Sequence, residues 1–334
     1  MIKYLGSKRL LLPQILDVIQ GVGGVKRVGD LFAGTSRVGQ ALKEAGYQVV
    51  ANDHNTYSHV LARCYVQADA REVKDEALRW IQEFNSMDVA GEGGWFTDVY
   101  CRQARYFQPE NGVRIEAIRQ RIAEAELGPD LEAVLLVSLM EAADRVDSTT
   151  GVQMAYLKSW AARSSNRLEM RLPRVLPGKG KALQLDAEEA AREMDVDLVY
   201  VDPPYNQHSY LGNYHIWETL VLWDQPEVYG VARKRVDCKE RKSAFNSKPG
   251  IRPAFERLLA AIDAPWLLLS FNDEGYLSPE ELGELLSTRG EVRDYGFDHP
   301  RYVGARIGIH NHKGIKVGRV SHLRNREHLF LVGS

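Results

Sequence analysis

The sequence is poor in cysteine, lacks a long apolar segment and carries little net charge. Three cysteines among 334 residues form an odd, scattered set, which argues against a disulfide framework and favours a reducing compartment. The most apolar helical stretch, residues 131–143, is too short to cross a bilayer and contains two glutamates. Residues 1–8 lack the apolar core of a secretory signal. We therefore expect a cytoplasmic globular protein.

A net charge of −2 by itself argues against a nucleic-acid partner, but the charge is unevenly distributed. Residues 158–181, 233–252 and 301–328 each carry a net charge of +6, so the rest of the chain carries about −20. One such segment on its own is explained equally well as ordinary solvated surface. Three of them, rich in Gly, Pro, Ser and Asn, are typical of loops that neutralise phosphates.

The last basic segment also contains four histidines: His310, His312, His322 and His328. Their spacing does not match a metal site, so we expect no metal and interpret them as solvated loop residues.

The chain has the pattern of an α/β protein, with 44% hydrophobic and 26% charged residues. A strand over residues 25–32, a helix from about Ser36 to Ala45 and a strand over residues 48–52 predict a βαβ unit and a parallel sheet. Residues 57–145 follow helical periodicity, and residues 164–181 are irregular. Further strands are predicted at residues 182–185, 197–201, 266–271 and 328–332.

The simplest organisation is one sheet domain split by an insertion. We predict a discontinuous catalytic domain over residues 1–60 and 181–334. Residues 61–180 would form a mainly helical insertion that recognises the target.

The first candidate site is the turn between the first strand and the following helix, Asp30-Leu31-Phe32-Ala33-Gly34-Thr35-Ser36. It is not the GxGxxG motif of dinucleotide-binding proteins, and Asp30 would repel a pyrophosphate. Asp30 instead suits a cationic ammonium, and Asp53 stands where such folds place the acid that binds ribose hydroxyls. S-adenosylmethionine meets these constraints. The alternative is an ordinary tight turn.

The second candidate site is Asp202-Pro203-Pro204-Tyr205, directly after a predicted apolar strand. The two prolines fix the backbone and remove two N–H donors, so the loop presents rigid carbonyl groups. Asp202 and the Pro203 carbonyl can accept the two hydrogens of a planar amino group while Tyr205 stacks on the ring that bears it. This arrangement would direct the nitrogen lone pair at a methyl donor.

These motifs together resemble the adenine-specific DNA methyltransferases of the Dam-like, alpha-ordered class. The sequence Lys3-Tyr4-Leu5-Gly6-Ser7-Lys8 is similar to that class's leading motif, with Tyr4 in place of Trp and Ser7 in place of Gly. Segments such as Asn206-Gln207-His208-Ser209-Tyr210 resemble the branch that includes the methyltransferases of FokI-type restriction systems. The resemblance implies a Rossmann-like S-adenosylmethionine-dependent methyltransferase fold.

The resemblance also implies residue roles. It assigns cofactor binding to Tyr4, Lys8, Asp30, Phe32, Gly34, Thr35, Ser36, Asp53 and Asp186. Asp186 would contact the cofactor adenine, although a helix N-cap explains it equally well. It assigns catalysis to Asp202, Pro203, Pro204 and Tyr205.

The target atom lies inside the duplex, so a DNA substrate implies base flipping, whose cost phosphate contacts must offset. The candidate DNA-binding residues are Arg163, Arg167, Arg171, Asn206, His208, Tyr210, Arg233, Lys234, Arg235 and Lys242. The three arginines at positions 163, 167 and 171 would share one face if that stretch were helical.

The sequence therefore predicts a methyltransferase that acts on the amino group of a flipped adenine in double-stranded DNA. We expect a monomer, with a cognate restriction endonuclease as a candidate partner. Two alternatives stay open: an amino-group methyltransferase acting on RNA or a protein glutamine, and a catalytically silent DNA-binding relative.

Overall fold

The computed structural model describes residues 1–300, 309–310, 316–318 and 324–333. The strands of its main sheet are β1 (Arg27–Asp30), β2 (Gln48–Asn52), β3 (Lys181–Leu183), β4 (Leu198–Val201), β7 (Trp266–Asn272), β8 (Glu291–Pro300) and β11 (Arg324–Gly333). Their order is β3-β2-β1-β4-β7-β11-β8. Two hairpins pair β5 (Val228–Tyr229) with β6 (Lys234–Arg235) and β9 (Ile309–His310) with β10 (Lys316–Gly318).

Five neighbouring strands of the sheet, from β3 to β7, are parallel. Strand β11 runs antiparallel to both of its neighbours, β7 and β8. The chain passes from β1 outward to β2 and β3, then returns to place β4 on the other side of β1. The predicted α/β sheet is confirmed, and its reversal point lies between β1 and β4, where such sheets bind ligands.

Helices cover both faces of the sheet and form a separate helical layer. They are α1 (Leu12–Val22), α2 (Arg37–Glu44), α3 (Thr56–Ala62), α4 (Ala70–Ser86), α5 (Trp95–Thr97), α6 (Pro109–Glu124), α7 (Pro129–Arg145), α8 (Ala187–Glu193), α9 (Tyr210–Asn213), α10 (His215–Leu222), α11 (Ile251–Ala261) and α12 (Pro279–Ser287). Over the described ranges, no helix is long and apolar enough to span a membrane.

Strand β4 shows why the central strands are continuously apolar. Leu198 and Tyr200 pack with residues of α1 and α2, whereas Val199 and Val201 pack with residues of α8, α11 and α12. Successive side chains point to opposite faces, and here both faces are covered. All four residues are therefore buried.

The helical layer has its own hydrophobic core, built largely from α4, α6 and α7. Helix α7 is buried along most of its length, as its nearly uniform apolar sequence predicts. This core also includes Tyr57 and Val60 of α3 and residues of α10, which lie outside the range 61–180. The helical character of residues 57–145 is confirmed, while the domain boundaries stay a prediction.

The irregular region before β3 does not bring the three arginines onto a helical face. Its only regular element between α7 and β3 is a 3₁₀ turn, Ala162–Ser165. Because the stretch is not an α-helix, Arg163, Arg167 and Arg171 do not share one helix face.

The end of the chain differs from the sequence-based expectation. His328 is buried in β11, with its Nδ1 3.0 Å from Asp294 Oδ1, so the prediction of a solvated loop histidine is wrong there. The side chains of His310, His312 and His322, and most of the basic segment 301–328, lie outside the described residues. The three cysteines are buried and unpaired, as expected.

Candidate active site

Three acids lie at the carboxyl ends of neighbouring parallel strands. Asp30 ends β1, Asp53 follows β2 and Asp202 follows β4. Because β1 pairs in parallel with both β2 and β4, these strand ends meet at one edge of the sheet. All three acids line a cleft of about 480 Å³, a volume in the usual range for small-molecule sites.

Many of the predicted site residues line this cleft. They are Tyr4, Lys8, Asp30, Phe32, Gly34, Thr35, Asp53, Asp186, Asp202, Pro204, Tyr210 and Lys242. Ser36, Pro203 and Tyr205 adjoin lining residues in the sequence. The structure therefore brings the leading segment, the turn after β1 and the loop after β4 to one place.

Backbone hydrogen bonds to carboxylates shape the turn after β1. The Gly34 N–H donates to Asp53 Oδ2 at 2.8 Å, and the Gly39 N–H donates to Asp30 Oδ2 at 2.9 Å. Gly34 has φ +52°, and a Cβ there would lie 3.4 Å from the Tyr4 ring. Glycine is thus favoured at this position, since other residues rarely adopt this backbone conformation.

Burial controls the protonation of the two acids near this turn. It raises the pKa of Asp30 to about 7 and that of Asp53 to about 6, because a buried carboxylate loses its hydration. The backbone N–H donors oppose this shift. A cationic ligand in the cleft would favour the ionised form of both carboxylates.

The donor set of this wall fits S-adenosylmethionine. Buried Asp30 offers a carboxylate to an ammonium group, and partly exposed Asp53 offers one to hydroxyl groups. Ser36 adds a buried hydroxyl whose Oγ has no hydrogen-bond partner among the described residues. An unsatisfied buried polar atom beside a cleft is expected where a ligand supplies the partner.

Phe32 and Asp186 extend the wall. The Phe32 ring packs edge-on against Phe245 with centroids 5.4 Å apart. Asp186 Oδ1 accepts the N–H of Glu188 at 2.9 Å and caps α8. Asp186 therefore has the capping role that the sequence allowed. It also lines the cleft, and its contact with the cofactor adenine stays a prediction.

Tyr4 joins the leading segment to the helices after the Asp202 loop. Its ring stacks on Tyr210 and Tyr214, with centroid distances of 5.1 and 4.6 Å. The segment is also held by Lys3, whose Nζ lies 2.8 Å from Asp147 Oδ1. Aromatic stacking and ion pairing thus hold the first residues of the chain against the cleft.

The Asp202–Tyr205 loop contains a buried ion pair with the leading segment. Lys8 Nζ lies 3.2 Å from Asp202 Oδ1 and 5.9 Å from the centroid of the Tyr205 ring. Burial raises the pKa of Asp202 to about 6, and the Lys8 ammonium opposes this rise. Lys8 was predicted to line the cofactor pocket; it does line the cleft, but its charged group faces Asp202.

Residues not predicted from the sequence hold the loop after Asp202. The Asn246 side chain donates to the carbonyls of Asn206 at 2.7 Å and His208 at 3.1 Å. The Tyr276 N–H donates to the Tyr205 carbonyl at 2.9 Å. Asn246 lies within the second basic segment, but nothing in its local sequence indicates this contact.

Glu327 is a further residue near the site that was not predicted from the sequence. Its Oε2 lies 3.1 Å from Lys8 Nζ, and its Oε1 accepts a hydrogen bond from Asn272 Nδ2 at 2.7 Å. The sequence gives one indication that Glu327 is special: it is the single acid of the basic segment 301–328 and comes just before an apolar strand.

The predicted DNA-binding residues fall into two groups. Some are held in intramolecular ion pairs: Arg163 with Asp147, Arg171 with Glu169, and buried Arg235 with Asp224 and Asp237. Others keep exposed or half-buried side chains: Arg167, Asn206, His208, Tyr210, Arg233, Lys234 and Lys242. Exposed Lys242 lies at the cleft itself.

Comparison with known proteins gives a consistent result. The profile of the D12 class N6 adenine-specific DNA methyltransferases matches residues 4–256. The chain is 31% identical to Type II methyltransferase M.NlaIII of Neisseria lactamica in an alignment of 325 positions that covers 93% of this chain and 95% of that protein.

Two further relatives are longer than this chain. Type II methyltransferase M.FokI of Planomicrobium okeanokoites is 32% identical over 88% of this chain and 48% of its own length. Modification methylase StsI of Streptococcus sanguinis is 31% identical over 85% of this chain and 46% of its own length. The chain spans about half the length of these two proteins.

Proposed function

Because the chain belongs to the family of D12 class N6 adenine-specific DNA methyltransferases, we propose that the cleft at the strand ends is where its methyl transfer takes place. Membership confirms the resemblance to the Dam-like class, the DNA substrate and the use of S-adenosylmethionine. The roles of individual residues are our proposal. The observation that carries it is the meeting of Asp30, Asp53 and Asp202 in one cleft.

We assign cofactor binding to the wall after β1 and β2. S-adenosylmethionine, when bound, supplies an activated methyl group on a positively charged sulfonium. Asp30 would pair with its ammonium group, Asp53 with its ribose hydroxyls, and the Ser36 hydroxyl would gain the partner that it lacks in the described residues. Phe32 and Tyr4 would supply apolar surface, and Asp186 would contact the adenine of the cofactor.

We assign the target adenine to the loop after β4. Asp202 and the Pro203 carbonyl would accept the two amino hydrogens, and Tyr205 would stack on the base. The amino nitrogen then directs its electron pair at the methyl carbon. The N–C bond would form as the C–S bond breaks with its electron pair left on sulfur, and the nitrogen would release one proton, for which Asp202 is an available base.

This role requires Asp202 to be ionised. Its pKa of about 6 leaves the carboxylate largely ionised at pH 7.5 and protonated below pH 6. Methyl transfer should therefore fall as the pH drops through 6. The pH dependence of single-turnover methyl transfer measures this directly, and a rate independent of pH between 5 and 8 would contradict the assignment.

We assign the DNA contacts to those predicted DNA-binding residues that are not held in ion pairs. Arg233, Lys234 and Lys242 would neutralise phosphates near the cleft, and Asn206, His208 and Tyr210 would close over the flipped base. Arg167 would contact DNA from the region 61–180, to which we assign target recognition. Arg163, Arg171 and Arg235 stay candidates. Arg163 would first have to release buried Asp147, and buried Arg235 would have to release Asp224 and Asp237, whereas the Arg171–Glu169 pair is exposed and readily exchanged for a phosphate.

The names of the relatives describe methyltransferases of type II systems. We propose by analogy that this chain protects DNA from a cognate restriction endonuclease, and that it acts as a monomer in the cytoplasm, where its DNA substrate lies. Single-molecule sequencing of DNA from cells that express the protein would identify the methylated adenine and its sequence context. No new methyladenine in that DNA would count against the proposal.

Asp202→Ala tests the assignment of the loop. We expect it to abolish methyl transfer from radiolabelled S-adenosylmethionine to unmethylated duplex DNA while the affinity for the cofactor stays within about threefold of wild type. Glu44→Ala, which removes a carboxylate paired with Arg174 on the surface, is the matched control and should transfer normally. Undiminished transfer by Asp202→Ala would overturn the assignment.

A further inference from the structure

Lys8 is shared between two carboxylates at the catalytic loop. Its Nζ lies 3.2 Å from Asp202 Oδ1 and 3.1 Å from Glu327 Oε2, and the Lys8 side chain is only 7% exposed. Because both oxygens contact the same nitrogen, they lie no more than about 6 Å apart. The cluster of Lys8, Asp202 and Glu327 therefore contains two negative charges and one positive charge in a largely buried place.

Three distant segments of the chain build this cluster. Asp202 follows β4, Lys8 comes from the leading segment, and Glu327 lies in β11. Glu327 faces Asn272 of β7 in the antiparallel register, and the Asn272 amide donates to Glu327 Oε1 at 2.7 Å. Asn272 is itself oriented because its Oδ1 accepts the Glu274 N–H at 2.8 Å. Glu327 is thus held with its second oxygen toward Lys8.

We propose that Glu327 is a positioning residue for methyl transfer, which holds Lys8 beside Asp202 and keeps the cluster at a net charge of −1. The inference rests on the proposed role of Asp202. Glu327 does not line the cleft and would act through Lys8. It also lies beyond residue 256, where the match to the family profile ends.

The net charge of the cluster bears on the reaction. During transfer, positive charge moves from the sulfur of the methyl donor to the amino nitrogen of the target, which lies at Asp202 in the proposed arrangement. A Lys8–Asp202 pair alone would be neutral and would do little to stabilise that developing charge. With Glu327 present, a net negative charge faces it at short range in a largely buried site, where electrostatic interactions are strong.

The proposal predicts a specific change in Glu327→Gln, which removes the charge but keeps an oxygen for the Asn272 hydrogen bond. The kcat plateau should fall about tenfold, while KM for the cofactor and for DNA should change little. Loss of a nearby negative charge should also lower the pKa of Asp202. The acid limb of the rate profile should then move to lower pH, although the plateau is lower.

Several charged or titratable groups near Asp202 influence its pKa, so a shift in that pKa has to be attributed to one of them. Among the described residues they are Lys8 from the leading segment, Glu327 from β11, Tyr200 from β4, Asp30 from β1, Tyr205 from its own loop and Tyr210 from α9. Glu327→Gln alters one of them and leaves the other five unchanged.

The pKa of Asp202 can also be measured without turnover. The carboxyl ¹³C resonance of protein labelled at aspartate reports it, and Asp202→Asn assigns the signal. Glu327→Asp, which retains the charge, should keep kcat within about threefold of wild type and the pKa of Asp202 near its wild-type value. Glu44→Gln, which neutralises a surface carboxylate, should change neither quantity.

The outcomes separate this inference from the proposed function. A fall in kcat for Glu327→Gln with no change in the pKa of Asp202, or no change in either, would overturn the inference while Asp202→Ala remains inactive. Active Asp202→Ala would overturn the proposed function and this inference with it. If Glu327→Gln did not fold, Glu327→Asp would decide: a tenfold loss in a folded, charge-retaining variant would contradict the proposal.

Discussion

The carboxylates at the two sides of the cleft are held in different ways. Asp30 accepts the backbone N–H of Gly39, near the start of α2, and Asp53 accepts that of Gly34, in the turn after β1. Their partners lie 9 and 19 residues away in the sequence. The position of these acids is thus part of the local strand–turn–helix structure and stabilises the shape of that turn.

Asp202 depends instead on a side chain from the start of the chain. Lys8 contacts it at 3.2 Å and is shared with Glu327, 319 residues further along the sequence from Lys8. Burial raises the pKa of all three cleft acids, but an ammonium opposes the rise at Asp202, whereas backbone N–H groups oppose it at Asp30 and Asp53. The cofactor wall is therefore defined by backbone shape, and the catalytic loop by a charge cluster.

Apart from the loss of Asp202 itself, the largest effect should come from removing the Lys8 ammonium. In Lys8→Met, Asp202 loses its counter-ion and its pKa rises above about 6, so we expect kcat at pH 7 to fall about 100-fold and to recover partly at pH 9. Rate profiles from pH 5 to 9 measure the shift.

The control is Lys43→Met, which removes an ammonium that donates to the carbonyls of Val66 and Ala68 outside the cleft. It should leave the rate profile in place. A Lys8→Met protein with the wild-type profile would show that Asp202 does not depend on the charge cluster.

A smaller effect should follow from straining the cofactor wall. Gly34→Ala places a side chain at φ +52°, which costs about 1 kcal/mol or more and disturbs the turn held by Asp53. We expect the dissociation constant for S-adenosylmethionine, measured by calorimetry, to rise about tenfold with kcat at saturating cofactor nearly unchanged.

Gly46→Ala is matched to it, because Gly46 also has positive φ, at +93°, but lies after α2 with no atom within 4 Å of an added Cβ. It should lose stability without losing cofactor affinity. Equal loss of affinity in both variants would mean that general destabilisation explains the result.

The contrast between the two sides also explains what the sequence could predict. Strands β1, β2, β4 and β7 are apolar runs that end at turns, so the sequence predicts their bounds to within two residues. It also predicts the acids at the ends of β1, β2 and β4. The Lys8–Glu327 contact was not predicted, because nothing local in a sequence indicates which distant side chains share a buried charge.

Charge counting also does not distinguish paired from unpaired basic residues. Arg233 and Arg235 are indistinguishable in the sequence, yet Arg235 is 3% exposed and paired with Asp224 and Asp237, whereas Arg233 is half-buried. Strand β8, which carries charged residues at positions 291, 293, 294 and 298, is not among the strands predicted from the sequence with definite bounds. Such residues are common on an edge strand, and β8 lies at the edge of the sheet.

The smallest effect should come from Asp186, which both caps α8 and lines the cofactor side of the cleft. Asp186→Ala should cost about 1 kcal/mol of stability and weaken cofactor binding about threefold. Asp69→Ala removes a similar N-cap, that of α4, outside the cleft and should lower stability alone. Thermal unfolding with and without cofactor distinguishes the two, and unchanged cofactor affinity in Asp186→Ala would leave it a capping role only.

The most direct test of the two different roles compares Asp202→Asn and Asp53→Asn in one experiment. Cofactor affinity is measured by calorimetry and methyl transfer by single turnover at saturating cofactor. We predict that Asp202→Asn binds S-adenosylmethionine within about threefold of wild type but transfers no methyl group, whereas Asp53→Asn binds it about tenfold more weakly and still transfers. The reverse pattern, or loss of both properties in both variants, would contradict the division of the cleft into a cofactor wall and a catalytic loop.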